Sequence, residues 1–332
     1  MAYFLRKLAF FVLTLWAAVT LNFLIPRLQP GDPAEAILRR LGGDQGPSTV
    51  DPAQLEAIRT MLGISGENIV VQYGQYIASI FRGEFGVSYT YFPYSVTDVI
   101  GDAMLWTLVL VGVTTIFSFI VGTLLGTWAA YRRGTRVDGV LTLGSTFLGT
   151  LPYFWIALLL IYVFAFQLQW FPEGGGYSST VPGLGGEFLV DAFQHAVLPA
   201  VSLLITGPIG WILAMRNNMV QSLGEDFSRL AVARGLSERR IAISYGARIA
   251  ILPSVTGFAL ALGGLFGGTV LVEQVFNYPG LGRLLVEAVG NRDYPLLQAL
   301  FLMTTTGILL ANLLADVAYG ILDPRVRREV SA

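Results

Sequence analysis

Six long stretches of this chain contain no Asp, Glu, Lys or Arg, and they constrain its fold more than any other feature. A helix that spans a membrane needs about 20 predominantly apolar residues. The six stretches have 19, 29, 34, 24, 24 and 22 residues and lie between Lys7 and Arg27, Asp102 and Arg132, Asp138 and Glu173, Asp191 and Arg216, Arg248 and Glu273, and Asp293 and Asp316. We therefore predict an all-α polytopic membrane protein with six transmembrane helices.

The composition supports this prediction and excludes several kinds of chemistry. Of the 332 residues, 54% are hydrophobic and 13% are charged, whereas about 25% are charged in an ordinary soluble protein. The chain has no Cys and one His, His195, so disulfides, thiolate metal sites and sites with two imidazoles are excluded. Its one Lys, Lys7, does not lie in a glycine-rich loop, so the chain holds no Walker A motif.

The distribution of basic residues predicts the orientation in the membrane. Both ends of the chain and the segments 132–138 and 216–248 together hold 14 of the 21 Lys and Arg residues. Because short cytoplasmic loops are enriched in these residues, we expect both termini to be cytoplasmic. Ile25-Pro26-Arg27 follows the first stretch where a signal peptide would have a small-residue cleavage site, so we expect this helix to be retained.

Four regions follow from these spans. Residues 1–28 form the first transmembrane helix, 29–102 a long extracytoplasmic segment, 103–322 a core of five transmembrane helices, and 323–332 a cytoplasmic tail. Within the extracytoplasmic segment, the pattern predicts short helices over Pro52–Leu62 and Tyr73–Phe81.

The cytoplasmic segment 216–248 has the most informative local pattern. Asp226 is placed to cap a first helix, in which Ala231 and Ala233 would form a close-packing face, and Gly235 is placed to end it. Ser237 is placed to cap a second helix that leads into the fifth span. Such a unit could dock into a partner protein. Equally, a basic interfacial helix could bind anionic lipid headgroups, and the residues alone leave both interpretations open.

A family resemblance favours the first interpretation. The segment Asp226–Ser237, followed by Ile251-Leu252-Pro253, resembles the cytoplasmic coupling motif of bacterial ABC importer permeases, in the branch that imports dipeptides and oligopeptides. The similarity extends over nearly the whole chain, through Pro30-Gly31-Asp32-Pro33, Gly83-Glu84-Phe85-Gly86-Val87-Ser88, Leu151-Pro152-Tyr153-Phe154, Val272–Gly282, Arg292-Asp293-Tyr294-Pro295, Ala311–Asp316 and Asp323-Pro324-Arg325. It is to the first of the two permease subunits.

The resemblance implies a type I permease fold, alternating access and a set of partners. A second homologous permease would complete the pathway, two ABC ATPases would bind ATP and Mg, and an extracytoplasmic binding protein would deliver the substrate. The chain itself would be no enzyme, would hold no cofactor or metal, would bind no nucleic acid, and would lie among the lipids of a bacterial plasma (inner) membrane. Di- and oligopeptides are the expected cargo, and oligosaccharides, nickel complexes or another small solute are the alternatives.

Transfer of the coupling motif also predicts which residues contact the ATPase. They are Asp226, Phe227, Arg229, Ala231, Ala233, Arg234, Gly235, Leu236 and Ser237. One departure from the general motif is that its glutamate is missing here and Arg229 begins the corresponding stretch. Permeases of the peptide branch often carry Arg there, but the departure leaves open which side chain supplies the charge for docking.

Residues at the ends of the last two spans are candidates for the pathway or for helix packing. Glu273 and Asp316 are acids near the membrane boundary, where a cap or an interhelical hydrogen bond is the expected role and transport the alternative. Asn312 lies in the last span. Four glycines of the fifth span form two small-xxx-small pairs, which could pack within the subunit or against the partner permease: Gly263 with Gly267, and Gly264 with Gly268.

The aromatic residues of the outer segment admit two roles. They could contact a binding protein or anchor the segment at the membrane surface, and they are Tyr73, Tyr76, Tyr89, Tyr91, Phe92 and Tyr94. A proton-coupled carrier or channel is a rival for the whole protein. Such carriers usually place acids or His in mid-span, and the six stretches lack acids.

Overall fold

A computed structural model describes residues 2–28, 68–178 and 185–322 of the chain as a bundle of helices. The helices are α1 (Ala2–Leu28), α2 (Ile69–Arg82), α3 (Val96–Tyr131), α4 (Arg136–Gly149), α5 (Tyr153–Gln167), α6 (Gly186–Leu223), α7 (Asp226–Ala233), α8 (Glu238–Gly264), α9 (Val270–Val275), α10 (Leu281–Gly290) and α11 (Tyr294–Leu322). Two of these helices contain π-helical segments, Ile161–Gln167 in α5 and Ile241–Ala247 in α8.

Within the described residues, five helices are long and apolar enough to span a membrane: α1, α3, α6, α8 and α11. The third uncharged stretch, predicted as one helix, is instead divided into α4 and α5, which are bent by 87° relative to each other. Pro152 precedes α5 and explains the break, because proline disfavours the α conformation at the residue before it and offers no backbone N–H.

The close crossing of α3 and α6 shows that α4 and α5 together make one crossing. A methyl group added to Gly122 would lie 2.7 Å from the backbone oxygen of Pro208, and one added to Gly126 would lie 2.5 Å from that of Ile212. Contacts therefore advance in the same direction along both helices, so α3 and α6 are parallel. The chain between two parallel spans must cross the membrane once, which confirms the six predicted crossings.

The other spans alternate in direction. Asn218 of α6 donates to the backbone oxygen of Ala250 in α8 (3.4 Å), and Gly257 of α8 packs on Trp211 of α6. These contacts run in opposite directions along the two helices, so α8 is antiparallel to α6. Gly263 of α8 likewise packs on Ala311 while Gly267 lies near Thr304, so α11 is antiparallel to α8.

One face of the bundle consequently carries both ends of the described chain. The helix α1 is antiparallel to α11 and joins it through two reciprocal hydrogen bonds. The side-chain amide of Asn22 donates to the backbone oxygen of Gln298 (2.6 Å), and the side-chain amide of Gln298 donates to the backbone oxygen of Asn22 (3.1 Å). We call the face with Ala2, Leu322 and the segments 132–135 and 224–237 the inner face. The outer face carries the segments 83–95, 168–178 and 265–293.

The second helix predicted for the outer segment is present and packs on α1. It spans Ile69–Arg82, slightly longer than the predicted Tyr73–Phe81, and Gly83 ends it with a φ of 72°. Tyr73 hydrogen bonds to Thr20 (2.8 Å), and the Tyr73 and Tyr76 rings contact Phe23. The predicted helix over Pro52–Leu62 and the predicted tail 323–332 lie outside the described residues.

Gly126 provides a test of this packing. We expect Gly126→Ala to destabilise the purified protein by about 1–3 kcal/mol, because the added methyl group meets backbone atoms and forces the two helices apart. The matched control is Gly144→Ala in α4, where an added methyl group meets no atom within 4 Å. Thermal unfolding in detergent would measure both, and an equal effect at the two positions would contradict the proposed crossing.

Candidate functional site

A short helix on the inner face, α7, is held between two membrane spans. The chain leaves α6 at Leu223, forms α7 over Asp226–Ala233, and enters α8 at Glu238, which confirms the predicted order of helix, glycine turn and helix. The connecting segment is shorter than predicted, because the ends of the region 216–248 belong to α6 and α8.

The caps of this unit differ in detail from the prediction. Glu225, not Asp226, occupies the N-cap position of α7, and no side chain caps the helix there. Asp226 is instead the first helical residue, where its charge favours the positive end of the helix, and it lies 3.6 Å from exposed Arg229. Ser237 is at the N-cap of α8 as predicted, but its side chain makes no capping hydrogen bond.

Gly235 ends α7 in a tight and well-defined turn. Its φ is 75°, a conformation that glycine adopts without the cost that a Cβ brings. The Gly235 amide donates to the Val232 oxygen (2.9 Å) and the Leu236 amide to the Ala231 oxygen (3.2 Å). This pair of bonds is a Schellman motif, and it fixes the direction in which the chain returns towards α8.

The two sides of α7 have different surroundings. Ser228 and Ala231 are buried and hold the helix against the body, whereas Leu230 is 56% and Val232 is 61% exposed. Ala233 is exposed, so its predicted place on a packing face is wrong. Ser228 takes that place because residues three apart share a helix face.

The exposed side of this region is both apolar and basic. Exposed apolar side chains from α7 and the start of α8 are Leu230, Val232, Ile243, Tyr245 and Ile249. Exposed arginines from the same stretch are Arg229, Arg234, Arg239, Arg240 and Arg248. We call these ten residues the α7 surface. An apolar patch with arginine around it is the usual composition of a protein-binding surface.

A partly buried ion pair fastens the base of this region. Both nitrogens Nε and Nη2 of Arg216 lie 2.9 Å from the Asp138 carboxylate, which also accepts from the Gly134 amide (3.0 Å) and Thr142 (3.2 Å). The pair ties α4 to α6 three turns before α7 begins. Sequence reasoning assigned Arg216 only to the loop charge. The sequence held one indication of this ion pair, since Asp138 and Arg216 each border an uncharged stretch.

The π-helical start of α8 forms a second contact beneath α7. A methyl group on Gly246 would lie 2.7 Å from the Leu223 side chain at the end of α6, so α6 and α8 are in close contact there. Single π-helical turns inside α-helices are often found at functional sites. Short links therefore connect α7 to two spans that contact each other.

On the outer face, Glu273 is fully buried and fully hydrogen bonded within the chain. Its carboxylate accepts from Thr107 of α3 (2.9 Å) and from the amides of Gly282 (2.6 Å) and Arg283 (3.2 Å) in the first turn of α10. Thr107 also accepts from the Leu281 amide (2.8 Å). Three free amides at the start of α10 thereby obtain partners. Glu273 thus lies in a cap that joins α3, α9 and α10.

A second buried acid, Asp293, fixes the segment that precedes α3. It accepts from Ser88 and from the amides of Thr90 (2.8 Å) and Leu296 (3.2 Å). Tyr91 donates to Glu287, and burial raises the pKa of this tyrosine to about 12. Of the aromatic residues in this segment, Tyr89 and Tyr91 pack inwards, while Phe92 and Tyr94 are exposed.

The predicted glycine pairs are not on one helix. The helix α8 ends at Gly264, so Gly267 lies in a short 3-10 turn and Gly268, with a φ of 65°, lies beyond it. Gly263 packs within the subunit, where an added methyl group would overlap the Ala311 side chain. Gly264 has no atom within 4 Å of that position. Sequence analysis missed the tighter pair, Gly122 and Gly126, which has the same small-xxx-small spacing.

The remaining candidates lie at the inner end of α11. Asn312 is exposed on its surface, and the side chain of Asp316 lies outside the described part. In that described part, no three acidic or His side chains come together as a metal site would require.

These features define a class of protein, a polytopic membrane subunit with an exposed helix fixed at one face. Residues 122–328 match the family model for the "Binding-protein-dependent transport system inner membrane component", and the chain belongs to this family. It is therefore a permease subunit of a binding-protein-dependent ABC importer.

Full-length relatives agree with this assignment. The chain is 33% identical over 327 residues to the oligopeptide transport system permease protein AppB of Bacillus subtilis. The aligned region covers 98% of the chain and 99% of the relative. It is 35% identical over 326 residues to the probable peptide ABC transporter permease protein y4tP of Sinorhizobium fredii, with 98% and 99% coverage. It is also 35% identical over 328 residues to the glutathione transport system permease protein GsiC of Salmonella choleraesuis, with 98% coverage of both.

The ion pair at the base of α7 can be tested by a double substitution. We expect Asp138→Ala to destabilise the protein by about 1–3 kcal/mol, because Arg216 would be left with a partly buried and unpaired charge. Asp138→Leu combined with Arg216→Met removes both charges and should cost much less. Thermal unfolding of the purified protein measures both variants. If the double variant were as unstable as Asp138→Ala, the unpaired charge would not be the cause.

Proposed function

We propose that this permease carries di- or oligopeptides inwards, with its inner face in the cytoplasm. The names of the full-length relatives, which refer to oligopeptides, peptides and glutathione, support a peptide cargo. The inner face carries the basic segments of the chain, which supports the orientation because cytoplasmic loops are rich in Lys and Arg.

The α7 surface is the proposed docking site for a separate ABC ATPase that binds ATP and Mg. The observation that carries this proposal is that α7 lies in the chain between α6 and α8, which contact each other at Leu223 and Gly246, while Leu230 and Val232 remain exposed. Exposed apolar side chains on a rigid helix suit a protein partner, since they lose water on binding. The glutamate of the general motif is missing here, and in this proposal Arg229 and Arg234 provide the charge for docking instead.

The proposed assembly contains this chain, a second homologous permease, two ATPases and an extracytoplasmic binding protein. Binding of ATP would move the ATPases, and α7 would pass that motion to α6 and α8. The spans would then open alternately to the two sides. Proton-coupled carriers usually have acidic residues in mid-span. The middle of each predicted span has none here, which agrees with an external energy source.

Gly235 offers the sharpest test of the docking role. We expect Gly235→Val to lower substrate-stimulated ATP hydrolysis and transport by at least tenfold in the reconstituted complex, because a β-branched residue is strained at a φ of 75°. Gly235→Asn is the matched control, since asparagine tolerates this conformation better, and it should retain most of the activity. The measurement is ATP hydrolysis in proteoliposomes with and without the loaded binding protein.

Membrane insertion and thermal stability of both Gly235 variants separate coupling from folding. Normal assembly with low stimulated hydrolysis in Gly235→Val alone is the expected result. Full stimulation in a correctly inserted Gly235→Val complex would exclude α7 as the docking element.

The cargo is tested separately, through the binding protein that works with this permease. Purified binding protein should retain di- or oligopeptides, and proteoliposomes containing the complete complex should take up those peptides only with ATP inside. Uptake of an oligosaccharide or a nickel complex in place of peptides would overturn the proposed cargo and leave the importer class unchanged.

A further inference from the structure

The helix α2 has an apolar face that the described part of the chain leaves largely uncovered. Val70, Gly74, Ile77 and Phe81 recur at intervals of four, three and four residues, so they lie in one row along the helix. Val70 is 71% and Phe81 is 87% exposed, and a methyl group added to Gly74 would meet no atom within 4 Å. We call these four residues the α2 stripe.

The opposite side of α2 is polar. Gln72, Gln75, Ser79 and Arg82 follow one another at helical intervals, and Gln75 and Arg82 are exposed. Phenylalanine on the apolar face and arginine on the polar face are typical of helices that lie in the plane of a membrane interface. The sequence of α2 therefore suits a helix that has hydrocarbon on one side and water on the other.

Two attachment points fix α2 along the outer face. The Tyr73 hydroxyl hydrogen bonds to Thr20 in the outer part of α1 (2.8 Å). At the other end of α2, Thr97 in the first turn of α3 donates to the backbone oxygen of Gly83 (3.2 Å). Gly83 lies ten residues after Tyr73, which is about 15 Å along an α-helix. Because α2 is held at the outer parts of two different spans, it lies along the surface and does not cross the membrane.

Contacts of Tyr76 give the depth of α2. The Tyr76 hydroxyl accepts from the side-chain amide of Asn22 (3.2 Å), and this amide also donates to the backbone oxygen of Gln298 (2.6 Å). Gln298 lies four residues after Tyr294, where α11 begins, and so is about 6 Å from the outer end of that span. These contacts therefore lie at the level of the outer membrane interface, where tyrosine is enriched.

The surface of α1 next to α2 indicates what covers the α2 stripe. Leu13 and Trp16 share a face of α1 with Thr20, are 59% and 56% exposed, and lie within the first uncharged stretch. Exposed apolar side chains at this depth of a span have hydrocarbon as their surroundings. Tyr73, which contacts α1, is three residues after Val70, so the α2 stripe borders this contact and continues the apolar surface of α1.

We propose that α2 is an interfacial helix whose stripe is inserted into the outer leaflet of the membrane. Lipid acyl chains cover Val70, Ile77 and Phe81, while Gln75 and Arg82 face the water. The partner of this surface is the lipid itself, so the inference does not depend on the cargo or on the docking role of α7. Insertion of α2 would hold the outer part of α1 and the start of α3 at one level of the membrane.

Spin labels on single cysteines measure where each side of α2 lies. The chain has no Cys of its own, so Val70→Cys, Phe81→Cys, Gln75→Cys and Arg82→Cys each create one labelling site in it. The complete complex, assembled with partner subunits whose cysteines have been replaced, is reconstituted in proteoliposomes. Paramagnetic resonance then compares the collisions of each label with oxygen, which concentrates in lipid, and with a nickel chelate, which stays in water.

Labels in place of Val70 and Phe81 should collide mainly with oxygen and lie about 5–10 Å below the headgroup boundary, as in other interfacial helices. Labels in place of Gln75 and Arg82 should collide mainly with the nickel chelate. Phe81 and Arg82 form the sharpest matched pair, because they are adjacent in the chain but lie on different faces of α2. Leu13→Cys gives the reference for a label within hydrocarbon.

Three results would overturn the proposal. Free access of the nickel chelate to the Val70 and Phe81 labels would place the α2 stripe in water. Protection of these labels from both reagents would show that another subunit covers the stripe. Protection that arises only when the binding protein is added would assign the stripe to that protein. Because the measurement uses neither peptide uptake nor ATP hydrolysis, these outcomes are separate from the failure of the proposed cargo or docking role.

Discussion

Close contact between helices at glycine is the constraint on which the rest of this structure depends. Lipid gives helices no hydrophobic reason to associate, so they associate through close packing and hydrogen bonds. Gly122 and Gly126 bring α3 against the backbone of α6, and this contact makes the two spans parallel. The parallel pair then requires one crossing between them, and it places the exit of α6, with α7 beyond it, on the same face as the ends of the chain.

Three carboxylates inside the described bundle lie where helices begin or meet, and each completes a local set of hydrogen bonds. Glu273 satisfies the free amides of α10, Asp293 those at the start of α11, and Asp138 holds Arg216. A carboxylate in apolar surroundings is costly unless it is paired or hydrogen bonded. These groups therefore fasten the outer and inner faces, while the spans between them carry no charged side chains.

The spans and the turn after α7 could be predicted from the sequence because each depends on local pattern. Uncharged length predicts a span, and a glycine after a short amphipathic stretch predicts the turn at Gly235. Contacts between distant residues could not be predicted in this way. The burial of Ser228 in place of Ala233 depends on where α8 lies, and the pairing of Asp138 with Arg216 depends on how α4 packs on α6.

The length of α8 determines the distance between the two faces that this helix connects. It has 27 residues and so is about 40 Å long at 1.5 Å per residue. It begins beside α7 and ends a few residues before the cap around Glu273. Its π-helical segment holds extra residues per turn relative to an α-helix, so a change of one residue in its winding would shift the rest of α8 by about 1.5 Å. A one-residue change in winding at the inner surface would therefore displace the outer end of α8 by a similar distance.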